Sequence, residues 1–93
     1  MALARVVSFD GVSKDRIEQM KNEMSGDRPE GLPATESIVL HDPDSEKALA
    51  IIFFDTEDDY RRGDEFLDAL PADETPGRRS AVNRYEVALR MTA

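Results

Sequence analysis

The sequence predicts an α+β fold, a ferredoxin-like β-α-β-β-α-β sandwich with a four-stranded antiparallel sheet and two helices on one face. Two observations predict it. Short apolar runs alternate with helical-period segments in that order, and the first and third runs, which this topology places in the centre of the sheet, are the most continuously apolar. At 93 residues and 10.4 kDa the chain makes one domain over 1–93, too short for two independent cores.

Leu3 to Phe9 is Val-rich, carries only Arg5 and Ser8 as polar residues, and ends at Asp10-Gly11, so it reads as a strand. Ser13 is an N-cap residue, with Val12 placed to staple onto Ile17. Ile17, Met20 and Met24 form a narrow apolar stripe at helical spacing, and Ser25-Gly26 closes the helix. Asp27 to Ala34, with two prolines and a glycine, is a loop. Glu36 to His41 is the second strand. Asp42-Pro43-Asp44-Ser45 suits a type I turn, which makes a hairpin with the third strand, Ala48 to Phe54, apolar at every position.

Asp55 to Asp59 puts a capping residue and acids at the start of the second helix, where the dipole favours them. Tyr60, Gly63, Phe66 or Leu67, and Leu70 continue its periodic face, and Pro71 stops it. Gly63 suggests a close approach of helix to sheet or a local widening near a cleft, and a simply tolerated glycine fits as well. After a loop to Arg79, Ser80 to Met91 is the last strand, with Tyr85, Val87, Leu89 and Met91 alternating with Arg84, Glu86, Ala88 and Arg90.

Lys plus Arg number 12 and Asp plus Glu 20, a net charge of -8. That balance argues against nucleic acid or an anionic membrane surface as partner. The charge is uneven: Asp55 to Glu74 holds nine acids and two arginines, Arg78 to Ala93 four arginines and one glutamate. The simplest expectation is a solvated helix face beside an arginine-bearing strand. A chain without Cys has no disulfide and no thiolate chemistry. With no membrane-length apolar run and no signal-like start, it is expected to be cytoplasmic.

The third strand departs from what a half-exposed sheet requires. Leu49, Ile51 and Phe53 point one way, Ala48, Ala50, Ile52 and Phe54 the other, and both sets are apolar. A sheet covered by helices on one face only would leave a large apolar patch in water. The second face is therefore expected to be buried against another copy in a C2 homodimer.

The element order, the run Ala48-Leu49-Ala50-Ile51-Ile52-Phe53-Phe54-Asp55-Thr56-Glu57-Asp58 and the closing Tyr85-Glu86-Val87-Ala88 resemble the dimeric α/β-barrel superfamily, near its antibiotic-biosynthesis monooxygenases. The likeness covers essentially the whole chain. It implies two protomers packed sheet to sheet, each with a cleft between sheet and helices. That cleft is expected to take a small apolar or aromatic ligand without a cofactor. The enzymatic alternative is a cofactor-independent monooxygenase or isomerase acting on an aromatic or polyketide-like substrate, and a third reading is an interaction subunit using the acidic helix. The haem-degrading members use a helical histidine and a tryptophan, which this chain lacks.

The catalytic candidates are Tyr85, Asn83, Arg84 and His41, for substrate hydrogen bonding, charge stabilisation and proton transfer. Adjacent strand residues face oppositely, so Arg84 and Tyr85 cannot line one pocket. The plainer expectation puts Tyr85 in the core, Arg84 on the rim and His41, the only histidine, at the hairpin end facing solvent. Ser8, Tyr60 and Phe66 are the ligand-binding candidates, Tyr60 and Phe66 being expected between helices and sheet together with Met20. Arg5, if buried, suggests an anionic group in the cleft, and if exposed suggests nothing. Asp42, Asp44 and Glu46 begin like a calcium loop, but Lys47 stands where glycine is required and Phe53 where the closing glutamate is, so no metal is expected.

Overall fold

The computed structural model describes residues 2–23, 31–71 and 75–92. Its elements run β1 (Leu3–Asp10), α1 (Lys14–Glu23), β2 (Glu36–Asp42), β3 (Lys47–Phe54), α2 (Glu57–Asp68) and β4 (Arg78–Glu86). The four strands form one antiparallel sheet in the order β2-β3-β1-β4. The fold is the ferredoxin-like α+β sandwich, and the two apolar strands are indeed central. Met24 and the expected helix stop at Ser25-Gly26 lie outside the described residues.

The helix-covered face carries Leu3, Arg5, Val7 and Phe9 of β1, all buried, beside Ala48, Ala50, Ile52 and Phe54 of β3. At one end Leu3, Ile52 and Phe54 pack with Leu32 and Ala34, from the segment before β2, and with Tyr60 of α2, and Phe66 and Leu67 close over them. At the other end Val7, Phe9, Val12 and Ala48 pack together, with Ile17 of α1 against them. Both helices therefore lie on one face.

The helix starts follow from their caps. Ser13 Oγ accepts a hydrogen bond from the Arg16 N–H at 3.1 Å. Thr56, in extended backbone (φ -131, ψ 161), accepts from the Asp59 N–H at 3.1 Å. Glu57, Asp58 and Asp59 then sit in the first turn against the positive end of the helix dipole. Thr56→Ala is expected to cost about 1 kcal/mol, read as a lower urea midpoint at unchanged m-value. The hairpin turn falls where expected but is longer than a simple type I turn. The Asp44 N–H bonds Asp42 Oδ1 at 3.2 Å, and Glu46 takes a left-handed conformation (φ 54) that leaves its carbonyl accepting from the Val12 N–H at 2.7 Å.

The last strand is shorter than its alternation predicts. It was expected to reach Met91 and ends at Glu86, because β1, its ladder partner, begins at Leu3, which pairs with Glu86. One more bond, Val87 N–H to the Ala2 carbonyl, ends the ladder. Arg90, beyond it, stacks 4.5 Å over the Phe53 ring and pairs with Glu36 at 3.8 Å.

Candidate functional site

Between sheet and α2 lies a charged seam. Arg5 is 2% exposed, set along β1 between the two apolar clusters. Its Nε donates to Asp64 Oδ1 at 2.8 Å and an Nη donates to Asp68 Oδ1 at 3.0 Å. Arg79 of β4 also reaches Asp68, at 2.8 Å. Arg84, the cross-strand neighbour of Arg5, pairs with Glu57 at 2.9 Å and lies 5.1 Å over the Tyr60 ring. Glu57, Asp64 and Asp68 stand at i, i+7 and i+11, which puts them on one stripe of α2. The charge asymmetry of the sequence thus resolves in part within the chain: this stripe docks on arginines of β1 and β4, and is not simply a solvated face. The anion that a buried Arg5 demands is the protein's own pair of carboxylates.

The candidate residues divide between the two faces of the sheet. Arg84 lies on the helix side, committed to Glu57 and Tyr60. His41 is also on that side, half-buried, and its Nε2 donates to the Val12 carbonyl at 2.8 Å. The expectation of a solvent-facing histidine is corrected: it ties the second strand to the segment leading into α1. Tyr60 is buried, edge-on to Phe54 with ring centroids 5.5 Å apart. Burial, and then the Asp64 carboxylate, push its phenol up. Phe66 is half-buried on the same cluster. Tyr60 and Phe66 thus fill the space between sheet and helix, and Met20 is half-buried on α1.

Asn83 and Tyr85 occupy the other face. Tyr85 is 55% exposed, not part of the core as the plainer expectation had it. β4 is an edge strand, and the described helices lie on the far side of the sheet, so neither of them covers it.

The cross-strand register arranges that uncovered face in four rows. In β2-β3-β1-β4 order they read Asp42, Lys47, Asp10, Arg78; then Leu40, Leu49, Ser8, Ala81; then Ile38, Ile51, Val6, Asn83; then Glu36, Phe53, Ala4, Tyr85. Two apolar-rich rows are bounded by a charged row at one end and a mixed one at the other. Leu40 is 50% exposed and Ile38 and Leu49 more than a third.

A concavity of about 540 Å³ opens at the hairpin end. Its walls include Ser8, Leu40, Leu49 and Ala81 of the second row, with Asp10, Asp42 and Lys47 of the first. By their register these side chains belong to the uncovered face. The concavity is therefore on the opposite side of the sheet from the expected cleft between sheet and helices. The physical reason is that Phe54, Tyr60, Phe66 and the Arg5 seam occupy the covered side. Of the sequence candidates, Ser8 lines it from the uncovered face, and His41 only borders it at the strand end, its imidazole being turned to the helix side. Asp42, whose carboxyl is held below the usual range chiefly by hydrogen bonding from Ser45, contributes a negative charge at its rim.

Leu40, Leu49 and Ala81 are site residues that the sequence reading missed. The alternation of the third strand marked Leu49, but bringing Leu40 and Ala81 beside it requires the strand order. Among the described residues no three His, Asp or Glu side chains are placed to hold a metal ion, and no helix is long and apolar enough to cross a membrane. Compared with known proteins, the chain matches no family model, no curated protein and no solved structure.

Proposed function

We propose that this chain is a homodimer that stacks its uncovered sheet faces and holds a small, mostly apolar or aromatic ligand in the concavity so enclosed. The observation that carries this is the apolar block of Leu40, Leu49, Ile38, Ile51 and Val6, contiguous across three strands and left uncovered by the helices. Apolar area of this kind is stabilised by removal from water at about 25 cal/mol per Å². The ligand class follows from the lining: leucines and alanine on the floor, Ser8 and the charged row at the rim. The cysteine-free sequence fits a cytoplasmic location, and the resemblance to the dimeric α/β barrels supports the same assembly.

Sedimentation equilibrium tests the assembly. The wild type is expected to be dimeric at micromolar concentration. Ile51→Glu, which puts a charge in the centre of the block, is expected to weaken dimerisation at least about tenfold while leaving the circular dichroism spectrum unchanged. A wild type that sediments as a monomer overturns the proposal. Native mass spectrometry of protein purified from its own cells then reads the ligand as extra mass, lost when Leu49→Lys fills the concavity.

A second reading, cofactor-independent oxygenation or isomerisation of an aromatic substrate, draws on Asn83 and Tyr85 standing two residues apart on that same face, near Ser8. Oxygen uptake with a hydroquinone panel tests it. Turnover that survives both Asn83→Ala and Tyr85→Phe removes these residues from it.

A further inference from the structure

We infer that the two copies pair about a two-fold axis running along the strands between β1 and β3, with the row Asp42, Lys47, Asp10, Arg78 zipped against its own reverse. This rests on the homodimer proposed above and adds its orientation and the residues that set it.

The charge order carries the first argument. A two-fold axis along the strands lays each row over the same row of the partner in reverse order. Asp42 then faces the partner's Arg78, Lys47 the partner's Asp10, and the other two positions repeat these pairs. Every position meets the opposite charge. An axis running across the strands would instead lay this row over the Glu36 row, placing Asp42 against the partner's Glu36 and Lys47 against the partner's Phe53. Among the described residues Asp10, Lys47 and Arg78 make no ion pair within their own protomer, whereas Arg5, Arg61, Arg62, Arg79, Arg84 and Arg90 all do.

Side-chain size gives the second argument, independent of charge. In the row that lines the concavity the β2–β3 half is bulky, Leu40 and Leu49, and the β1–β4 half is small, Ser8 and Ala81. Under the along-strand axis Leu40 meets the partner's Ala81 and Leu49 the partner's Ser8. Large against small lets two layers approach without bulk meeting bulk, and sets the partner's small side chains over each concavity, closing it without filling it. Under the across-strand axis Leu40 meets the partner's Ile38 and Leu49 the partner's Ile51, bulk against bulk. The favoured axis also faces Glu36 toward the partner's Tyr85, offering that exposed phenol an acceptor. Aligned packing of two twisted sheets accommodates this geometry. It brings both concavities to the same end of the dimer.

A charge-reversal cycle read by sedimentation equilibrium at low salt tests the orientation. Lys47→Asp and Asp10→Lys each set like charges face to face and are expected to weaken dimerisation about tenfold, while the double variant recovers most of the loss. A dimeric wild type whose single variants bind unchanged, or whose double variant is no better than the singles, overturns the orientation and leaves the homodimer standing. A monomeric wild type removes both. Crosslinking gives a readout that does not depend on affinity. The chain has no cysteine, and β2 and β4 lie three strand spacings apart, roughly 14 Å, within one protomer. With a short bis-maleimide, Leu40→Cys combined with Ala81→Cys is expected to give a covalent dimer and Leu40→Cys alone is not. Efficient dimer from Leu40→Cys alone overturns the along-strand axis.

Discussion

Removing Asp64 and Asp68 together, as alanines, is expected to destabilise the fold by about 3 kcal/mol, because it strands the Arg5 guanidinium inside the protein. Arg5 has 3% of its side chain exposed, while its partners have 38% and 52%. The asymmetry decides the effect. The carboxylates are solvated whether or not Arg5 is present, but the guanidinium depends on them for most of its compensation. The value sits at the low end for breaking a buried pair because water can follow the removed carboxylates partway in. Arg5→Met in the same background keeps the aliphatic packing and removes the stranded charge, so the triple variant is expected to recover most of the loss. Urea unfolding reads all of these as shifts of midpoint. A double variant within about 0.5 kcal/mol of wild type would show that the seam contributes little.

Gly63→Ala is expected to cost about 2 kcal/mol, although alanine is the better helix former by about 1 kcal/mol. A Cβ at Gly63 would run into Cε1 and Cζ of the Phe54 ring. Phe54 is fully buried and held edge-on by Tyr60, so the ring has nowhere to move. The overpacking penalty outweighs the propensity gain. Phe54→Leu trims the ring atoms that the new methyl would strike, and in that background Gly63→Ala is expected to become neutral or stabilising. The sign change is the diagnostic, since two independent sites would add. The absence of coupling between the two positions would place the cost in the helix backbone and not in the contact.

Much of the fold is legible residue by residue. Ser13, Thr56 and the acids behind it act within one helical turn, so the helix starts could be read from neighbours a few positions apart. The third strand announced its central position because a strand buried from both sides has no polar alternation. The last strand misled for a related reason: Tyr85 to Met91 alternate well, but alternation says only that a segment suits a strand, and a strand needs a partner. β1 begins at Leu3, so the ladder ends at Glu86.

The candidate site was less legible. His41 looked like a turn residue on the surface, and its bond to the Val12 carbonyl joins positions 29 residues apart. Arg5 posed a question that only α2 answers, since Asp64 and Asp68 lie some 60 residues downstream. The stripe of Glu57, Asp64 and Asp68 could have been found from its helical spacing, but nothing in that spacing names the arginines beneath it.

Element type and the two-faced apolarity of the third strand are properties of short windows of chain, where hydrophobic period and capping act over a few residues. The four rows on the uncovered face, the seam around Arg5 and the side of the sheet that carries the concavity depend on register between strands far apart in sequence. Side chains become neighbours there through backbone hydrogen bonding that is nearly indifferent to their identity, so no local pattern specifies them, and the folded sheet decides which charges and which bulks stand side by side.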